Sequence, residues 1–569
     1  MKVLDKINCS KCLKSCTMDE LDVLSAEIRE VLINKINSTG GHMGSNLGII
    51  EATIALHYVF NSPVDKIVFD VSHQSYTHKI LTGRKEYFID PEKFNILSGY
   101  TTPSESIHDV FKVGHTSTSV SLACGLAKGR DLLGDNYNVV AVIGDGSLSG
   151  GEAFEGLNNA SMFKSNMIIV VNDNEMSIAP NQGAIYENLK LLRESNGTYE
   201  HNFFKTLGFD YRYVDNGNDV RSLIAAFNSV KDINHPVIVH IHTLKGKGLA
   251  WAEENKELGH WEKGKFAGGG LTYQELTMNY LKEEVQNNKK AFVITAATPT
   301  ALGLTQEFRD IAKERFVDVG ICEEHAISFA SGAACSGCTP IICINSSFFQ
   351  RAYDQFQQDL ALNNNHVVIL VYNGKITGGD ATHNGAFDIP FTMNVPGVEC
   401  FAPSYVEEYF DCLDYAIHRA NGPIVVRVPS SVIRCDNYVA SDLNSYALNK
   451  TSDVLIMGLG NFYHLAKETA ASLLKLGVNV DIINPLVYSE ISSANLEKIK
   501  DYKLVVTLED GIVSGGFGQM IAASLSKYGI KVLCYGQDKD FNDLVSLDQI
   551  YEKCHLKKEL LTKDIMKYL

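Results

Sequence analysis

Short, continuous apolar runs recur along the chain. Each is closed by a turn rich in Gly, Asn or Asp and followed by residues at helical spacing, as in NVVAVIGDGSLSGGEAFEGLNNA, NMIIVVNDNEMSI and HPVIVHIHT. A strand that is apolar on both faces belongs to a parallel sheet covered by helices on either side, whereas a half-solvated strand alternates. The same grammar returns in KAFVITAATPT, TPIICINSSFF, HVVILVYNGKI and GPIVVRVPSS, and again between DVLIMGLGNFYHLAKETAASLLKLG and KVLCYGQD. The pattern predicts an α/β chain of three domains, each a mainly parallel sheet flanked by helices. The polar, Gly-rich stretch Glu253–Gly270 reads as a linker or mobile loop, and a second change of composition falls between Ser430 and Tyr446. Domains are therefore expected over 1–270, 271–440 and 441–569. The internal periods of solenoids are absent.

Composition narrows the function classes. With 569 residues, 45% hydrophobic and 21% charged, the chain has ordinary globular composition and can bury several cores. Its 51 Lys and Arg against 67 Asp and Glu leave a formal charge of −16, which repels a nucleic-acid backbone. No apolar stretch approaches the roughly 20 residues that cross a bilayer. The N-terminal MKVLDKINCSKCLKSC lacks the apolar core of a signal peptide, so a cytoplasmic protein with no nucleic-acid or membrane partner is expected. The 13 cysteines are odd in number and are expected reduced. Cys9, Cys12 and Cys16 lie together near the start, and Cys335 and Cys338 form a CxxC, but neither group supplies four tetrahedral ligands.

The strongest local chemistry is Gly144-Asp145-Gly146 at the end of one apolar run, with Asn172-Asp173-Asn174 ending the next. In a parallel sheet, ligands gather at the carboxyl ends of strands. Two neighbouring strand ends can offer a carboxylate and an amide oxygen to one hard cation. A glycine-rich turn lets backbone amides approach a diphosphate. Gly458-Leu459-Gly460 also follows a strand, but it lacks the third glycine of a dinucleotide fingerprint.

GDG followed, after 27 intervening residues, by Asn174 resembles the thiamine-diphosphate motif of the transketolase superfamily. GGHMGSNLGIIEATIALHYVFN, FDVSHQSYTHKILTGR, VGHTSTSVSLACGLA, VNDNEMSIAPNQGA, CEEHAISFASGAA, FFQRAYDQFQQDLA, THNGAFD and LEDGIVSGGFG narrow the resemblance to the 1-deoxy-D-xylulose-5-phosphate synthase family, across essentially the whole chain. The resemblance implies a transketolase-like fold and a transferase that uses thiamine diphosphate and Mg²⁺. It would decarboxylate pyruvate and join the two-carbon unit to an aldehyde, glyceraldehyde 3-phosphate in the family, in a homodimer whose product feeds isoprenoid and thiamine biosynthesis. A paralogue using another aldehyde, a transketolase and a catalytically silent cofactor-binding protein are the alternatives.

Carried over residue by residue, the resemblance implies metal ligation by Asp145, Asn174 and the carbonyl of Met176. It implies cofactor contacts at His73, Gly114, His115, Thr116, Gly146, Ser147, Asn174, Glu323 and Phe348. Glu323 would be the acid beside the aminopyrimidine, with its neighbour Glu324 as the alternative, and Phe348 the ring on which the pyrimidine stacks. His42, His260 and His383 would be the catalytic histidines, and His42, Arg351, Asp380 and His383 would contact substrate. The chemistry needs such groups. A buried glutamic acid keeps its proton and can donate it to the pyrimidine, while histidines move protons near neutrality. The chain departs from the family where Asn373 and Ser430 stand in place of two arginines that grip the acceptor's phosphate, and where Asn345 replaces a tyrosine. Arg351 is retained, and Lys375 is a cation that could substitute.

Overall fold

A computed structural model describes residues 2–263, 270–439 and 442–569. Among the described residues it contains three parallel sheets flanked by helices, the architecture read from the apolar runs. The chain divides into two compact units, Met1–Gly269 with Gly320–Cys322, and Gly270–Val319 with Glu323–Leu569.

Unit 1 holds a five-stranded sheet of β1 (Lys66–Phe69), β2 (Val139–Gly144), β3 (Met167–Asp173), β4 (Asp210–Val214) and β5 (Pro236–His242), in the order β1-β2-β3-β5-β4. Successive side chains of a strand point to opposite faces, and here the alternation sorts them into two cores. Val140, Val142, Ile168 and Val170 join one apolar cluster, while Val139, Ala141, Ile143, Met167, Ile169 and Val171 join another on the opposite face. That is why these strands read as unbroken apolar runs.

Unit 2 holds two sheets. The first contains β6 (Ala291–Thr295), β7 (Phe316–Asp318), β8 (Thr339–Asn345), β9 (Val368–Tyr372), β10 (Glu399–Phe401) and β11 (Ile424–Arg427), in the order β10-β11-β9-β8-β6-β7. The second contains β12 (Val454–Leu459), β13 (Asp481–Ile483), β14 (Leu504–Ile512) and β15 (Lys531–Gln537), in the order β13-β12-β14-β15. One apolar cluster takes Ile342, Ile344, Ile369 and Val371 from the first sheet together with Leu455, Met457 and Val505 from the second. A shared core of this kind makes the two sheets one unit. It is reinforced by Arg427, fully buried, which donates to Asp388 through Nε (2.8 Å) and to the Asp510 carbonyl through Nη2 (2.9 Å).

The expected linker Glu253–Gly270 is different in kind. Its described part is built into unit 1: the helix Ala250–Glu254 leads into a turn at Leu258–His260, and Gly41 and Glu262 exchange backbone hydrogen bonds at 2.9 Å in both directions. Its polar residues are pinned by backbone pairing, which composition does not reveal; residues 264–269 lie outside the described residues. No helix among the described residues is long and apolar enough to cross a membrane.

Candidate active site

In unit 1, β2 and β3 are neighbours in register, with Gly144 opposite Asn172. Their carboxyl ends therefore deliver Asp145 and Asn174 side by side. Asp145 is buried, and its Oδ2 accepts from Asn181 Nδ2 at 2.7 Å; Tyr186 donates to the carbonyls of Asp145 and Gly146, both at 3.2 Å. Burial, with Asp173 nearby, pushes the Asp145 carboxyl well above the usual carboxylate range. Asn174 Oδ1 is buried with no hydrogen-bond partner. Met176, two residues on, forms an isolated bridge with Pro180. Gly146 is required by a close approach, since a Cβ there would stand 2.7 Å from Ser177 Cβ.

An orphaned amide oxygen beside a buried carboxylate is costly unless something is drawn to both. The donor set of one carboxylate, one amide oxygen and backbone carbonyls is hard and oxygen-only, which suits Mg²⁺. The residues present fit that ion. No cluster of three or more His, Cys, Asp or Glu side chains able to hold a metal occurs among the described residues.

The supports of this corner were not visible as motifs. Asp173 accepts from His240 Nε2 at 3.0 Å, from Arg193, and from the Glu175 amide at 3.1 Å. Although burial pushes that carboxyl up, His240 and Arg193 hold it down at about 2. Asp70, following β1, accepts from the Ser117 and Ser119 amides at 2.8 and 2.9 Å, and Ser117 Oγ donates to the Ser147 carbonyl at 2.8 Å. The turn carrying Gly114, His115 and Thr116 is thereby tied to the turn carrying Gly146 and Ser147. Lys245 is buried, donates to the Ser177 carbonyl, and is lowered to about 8 by burial, against the pull of Asp145. Asn181 and Asp70 sit inside segments already singled out; their chain position alone does not announce a role.

The histidines of unit 1 gather in one cluster. Ring centroids lie 4.8 Å apart for His42 and His73, 5.4 Å for His42 and His260, and 5.5 Å for His73 and His260. Ser45 Oγ meets His73 Nε2 at 3.0 Å and His260 Nδ1 at 3.5 Å. Asn46, four residues after His42 on the same short helix, donates to the carbonyls of His42 (2.7 Å) and His73 (2.8 Å) and accepts from the Tyr76 amide (3.0 Å). Burial, then the neighbouring Lys245, His42 and His73, drive the His260 imidazole well below its ordinary range, so it is neutral at pH 7. The helix Met18–Thr39 delivers the cluster. A capping box of Thr17 and Glu20 starts it, and Gly40, at φ +81°, ends it and turns the chain toward His42.

Unit 2 carries the second group. Glu323 opens the helix Glu323–Cys335 and is buried, whereas Glu324 is half-buried. Arg351 Nη1 lies 3.5 Å from Glu323 Oε2. Burial raises the Glu323 carboxyl, with Arg351 pulling against it. Phe348 and Phe349, adjacent after β8, divide their work. Phe349 packs in the core against Phe356 and Phe391, and half-buried Phe348 meets His383 edge-on with centroids 5.6 Å apart. His383 Nδ1 contacts Asp380 Oδ2 at 3.0 Å and Thr382 Oγ1 at 2.8 Å. His383 and Thr382 hold the Asp380 carboxyl below its usual range despite burial.

Asn345, Asn373 and Ser430, the positions expected to depart from the family pattern, each have a side-chain partner nearby. Asn373, at φ +55°, donates to Asn345 Oδ1 at 2.7 Å. Asn461 accepts from the Ser430 amide and donates to Ser430 Oγ, both at 3.0 Å, and donates to Asp510 Oδ2 at 2.9 Å.

Comparison with known proteins gives the same direction over the full length. The family described as 1-deoxy-D-xylulose-5-phosphate synthase matches residues 4–201 and 195–243, the transketolase pyrimidine-binding domain matches 270–434, and the transketolase C-terminal domain matches 445–538. The 1-deoxy-D-xylulose-5-phosphate synthase of Clostridium acetobutylicum is 37% identical, covering 100% of this chain and 99% of that protein. The enzyme of the same name from Caldanaerobacter subterraneus is 36% identical, covering 99% of each. Among solved structures, transketolase from Campylobacter jejuni is similar at 16% identity over 100% of both chains, with a TM-score of 0.45. The chain belongs to the 1-deoxy-D-xylulose-5-phosphate synthase family.

Proposed function

We propose that this protein is a transferase that condenses pyruvate with glyceraldehyde 3-phosphate to give 1-deoxy-D-xylulose 5-phosphate and CO₂, using thiamine diphosphate and Mg²⁺. Family membership over the whole chain supports the reaction. The observation that carries the cofactor is the buried, unpartnered Asn174 Oδ1 beside buried Asp145. Asp145, Asn174 and the Met176 carbonyl would hold the ion. The tied turns carrying Gly114, His115, Thr116, Gly146 and Ser147, together with His73, would receive the diphosphate. When bound, thiamine diphosphate supplies the carbon nucleophile and the electron sink for decarboxylation.

The chain's own groups bind, orient and move protons. Glu323, whose carboxyl burial raises against the pull of Arg351, would donate from that carboxyl, and Glu324 beside it is only half-buried. Phe348 offers a ring face for stacking. Asp380 contacts His383 at Nδ1, and that imidazole would give or take a proton at the substrate. Neutral His260 can accept a proton, and His42 stands within the same cluster. Arg351 offers a cation to a substrate's acid group.

The family matches and the three sheets support functional domains over 1–270 for the diphosphate and metal, 271–440 for the pyrimidine, and 441–569 as a transketolase C-terminal-like domain. The resemblance supports a cytoplasmic homodimer. CO₂ release from pyruvate that requires both thiamine diphosphate and Mg²⁺ tests the reading; release only from a ketose donor, or none, overturns it. A second reading keeps the donor and changes the aldehyde. It is favoured by Asn373, paired with Asn345, and Ser430, paired with Asn461, at the two positions where the resemblance implies phosphate-gripping arginines, and kcat/KM over phosphorylated and unphosphorylated aldehydes separates the two.

A further inference from the structure

Unit 1 contains a cleft of about 190 Å³ beside the histidine cluster, lined by Lys35, Tyr76, Phe88, Ser98 and Trp261 among others. At roughly 30 Å³ per water in the liquid, it has room for a ligand of several heavy atoms. Two features of its walls are unlike a passive groove.

The first is the state of Lys35. Its ammonium lies 5.8, 5.3 and 5.4 Å from the ring centroids of Tyr76, Phe88 and Phe94, inside a cage of three aromatic faces. Such faces attract a cation but leave its N–H donors without an oxygen acceptor. Lys35 has no carboxylate partner among the described residues. Its neighbour Lys79 is different: Lys79 Nζ donates to Glu105 at 2.6 Å and to the Ser98 carbonyl at 2.7 Å. Arg84 is likewise paired, with Asp109 and Glu105. Glu105 and Asp109 are thus engaged by other cations, and Lys35 stands as a positive charge on the cleft with no ion-pair partner among the described residues. Burial, with Lys79 nearby, lowers its pKa to about 8, so it remains mostly protonated at pH 7.

The second is where the cleft leads. Gly40, Gly41 and Gly99 form part of its wall, and Trp261 on the same wall meets His42 edge-on at 4.5 Å. Tyr100, next to Gly99, lies 6.1 Å from His42 by ring centroids. A molecule whose acid group reaches Lys35 therefore extends toward His42.

We propose that this cleft binds the acid group of a small substrate, a carboxylate or a phosphate, with Lys35 as its counter-ion and Trp261 on its flank. As a specificity site for the reaction, it rests on the function proposed above; as an anion site it does not. Pyruvate would present a carboxylate there and an aldehyde phosphate a phosphate, and one desolvated cation recognises either.

The test uses the full chain and the indole already on the cleft. Trp251 and Trp261 are the two tryptophans, so Trp251→Phe leaves Trp261 as the sole reporter. Inorganic phosphate and acetate are titrated separately. At least one is expected to change Trp261 emission saturably, with affinity falling about tenfold or more in Lys35→Met and held within about threefold in Lys35→Arg, as loss or retention of one charge-assisted contact predicts. Equal affinity in Lys35→Met, or no response to either anion, overturns the proposal. Circular dichroism checks that both variants fold, and the arginine variant keeps the test decisive if the methionine variant does not. Steady-state kinetics then names the source: Lys35→Met raises KM for pyruvate if the carboxylate sits there, and KM for glyceraldehyde 3-phosphate if the phosphate does. Lys35-dependent anion binding in a protein that releases no CO₂ sinks the reaction and leaves the anion site. An active enzyme whose anion binding ignores Lys35 sinks the site and leaves the reaction.

Discussion

The side-chain amide of Asn181 donates to Asp145 Oδ2 across 2.7 Å. It fixes one carboxylate oxygen of the proposed metal corner from a loop 36 residues further along the chain. Asp145→Ala is expected to abolish Mg²⁺-dependent binding of thiamine diphosphate with the fold intact, and Asn181→Ala to weaken it by about 10–100-fold, the usual effect of an outer partner on a metal site. Calorimetric titration of the cofactor with and without Mg²⁺ measures both. Unchanged affinity in Asp145→Ala would remove it from the ligand set.

Glu323 is buried and its carboxyl raised, with Arg351 at 3.5 Å pulling the other way. Glu323→Gln retains the shape and loses the ionisable proton. It is expected to leave cofactor binding measurable and to slow hydrogen–deuterium exchange at the thiazolium C2 by about 10²–10⁴-fold, the range for a positioned acid–base group. Exchange at the wild-type rate would transfer the role to Glu324 or end it.

Asp109 anchors a buried charge network. It accepts from His78 Nε2 at 2.9 Å and from both terminal nitrogens of Arg84, at 2.8 and 2.7 Å. Burial pushes its carboxyl up, but Arg84 and His78 hold it far below the usual range. The sign follows: the folded pKa lies below the unfolded value of about 3.9, so the contribution is complete above roughly pH 5 and is lost as pH falls below that. Asp109→Asn strips a buried guanidinium of one partner and is expected to cost about 3 kcal/mol, at the lower end for broken buried pairs because Glu105 remains near Arg84. Urea unfolding at pH 7 and pH 3 checks it. The two proteins should differ clearly at pH 7 and converge toward pH 3; equal stability at pH 7 would show the network to be neutral.

Ser430 is exposed and bonded only to Asn461 among the described contacts. If the acceptor's phosphate passes this position, Ser430→Arg adds one charge-assisted contact of about 1.5–3 kcal/mol. The expected gain is about 10–150-fold in kcat/KM for glyceraldehyde 3-phosphate over glyceraldehyde. An unchanged ratio would place the phosphate elsewhere. Asn373 is the poorer position for the same experiment, because its φ of +55° suits Asn and strains a longer side chain.

Read along the chain, the unbroken apolar runs determined the strands and their parallel, doubly covered setting. A strand buried on both faces reads as a nearly unbroken apolar run, as Val139–Ile143 and Met167–Val171 show. The strand-end motifs Gly144-Asp145-Gly146 and Asn172-Asp173-Asn174 were legible for a related reason, since register between adjacent parallel strands brings their ends together. What the linear pattern could not carry was everything that depends on which distant residues meet. The turn through His260 looked like linker because it is polar, yet Gly41 and Glu262 pair across more than 200 positions and bury the imidazole beside His42 and His73. Asn46, Asp70 and Asn181 are ordinary polar residues in sequence, and become clamps only when backbone amides and carboxylates from other segments are packed around them. Lys35 sits on a helix face where a lysine is unremarkable. Only the tertiary structure decided that three aromatic rings would surround it and that Glu105 and Asp109 would be taken by other cations, because burial and pairing are properties of the folded arrangement rather than of the order of residues.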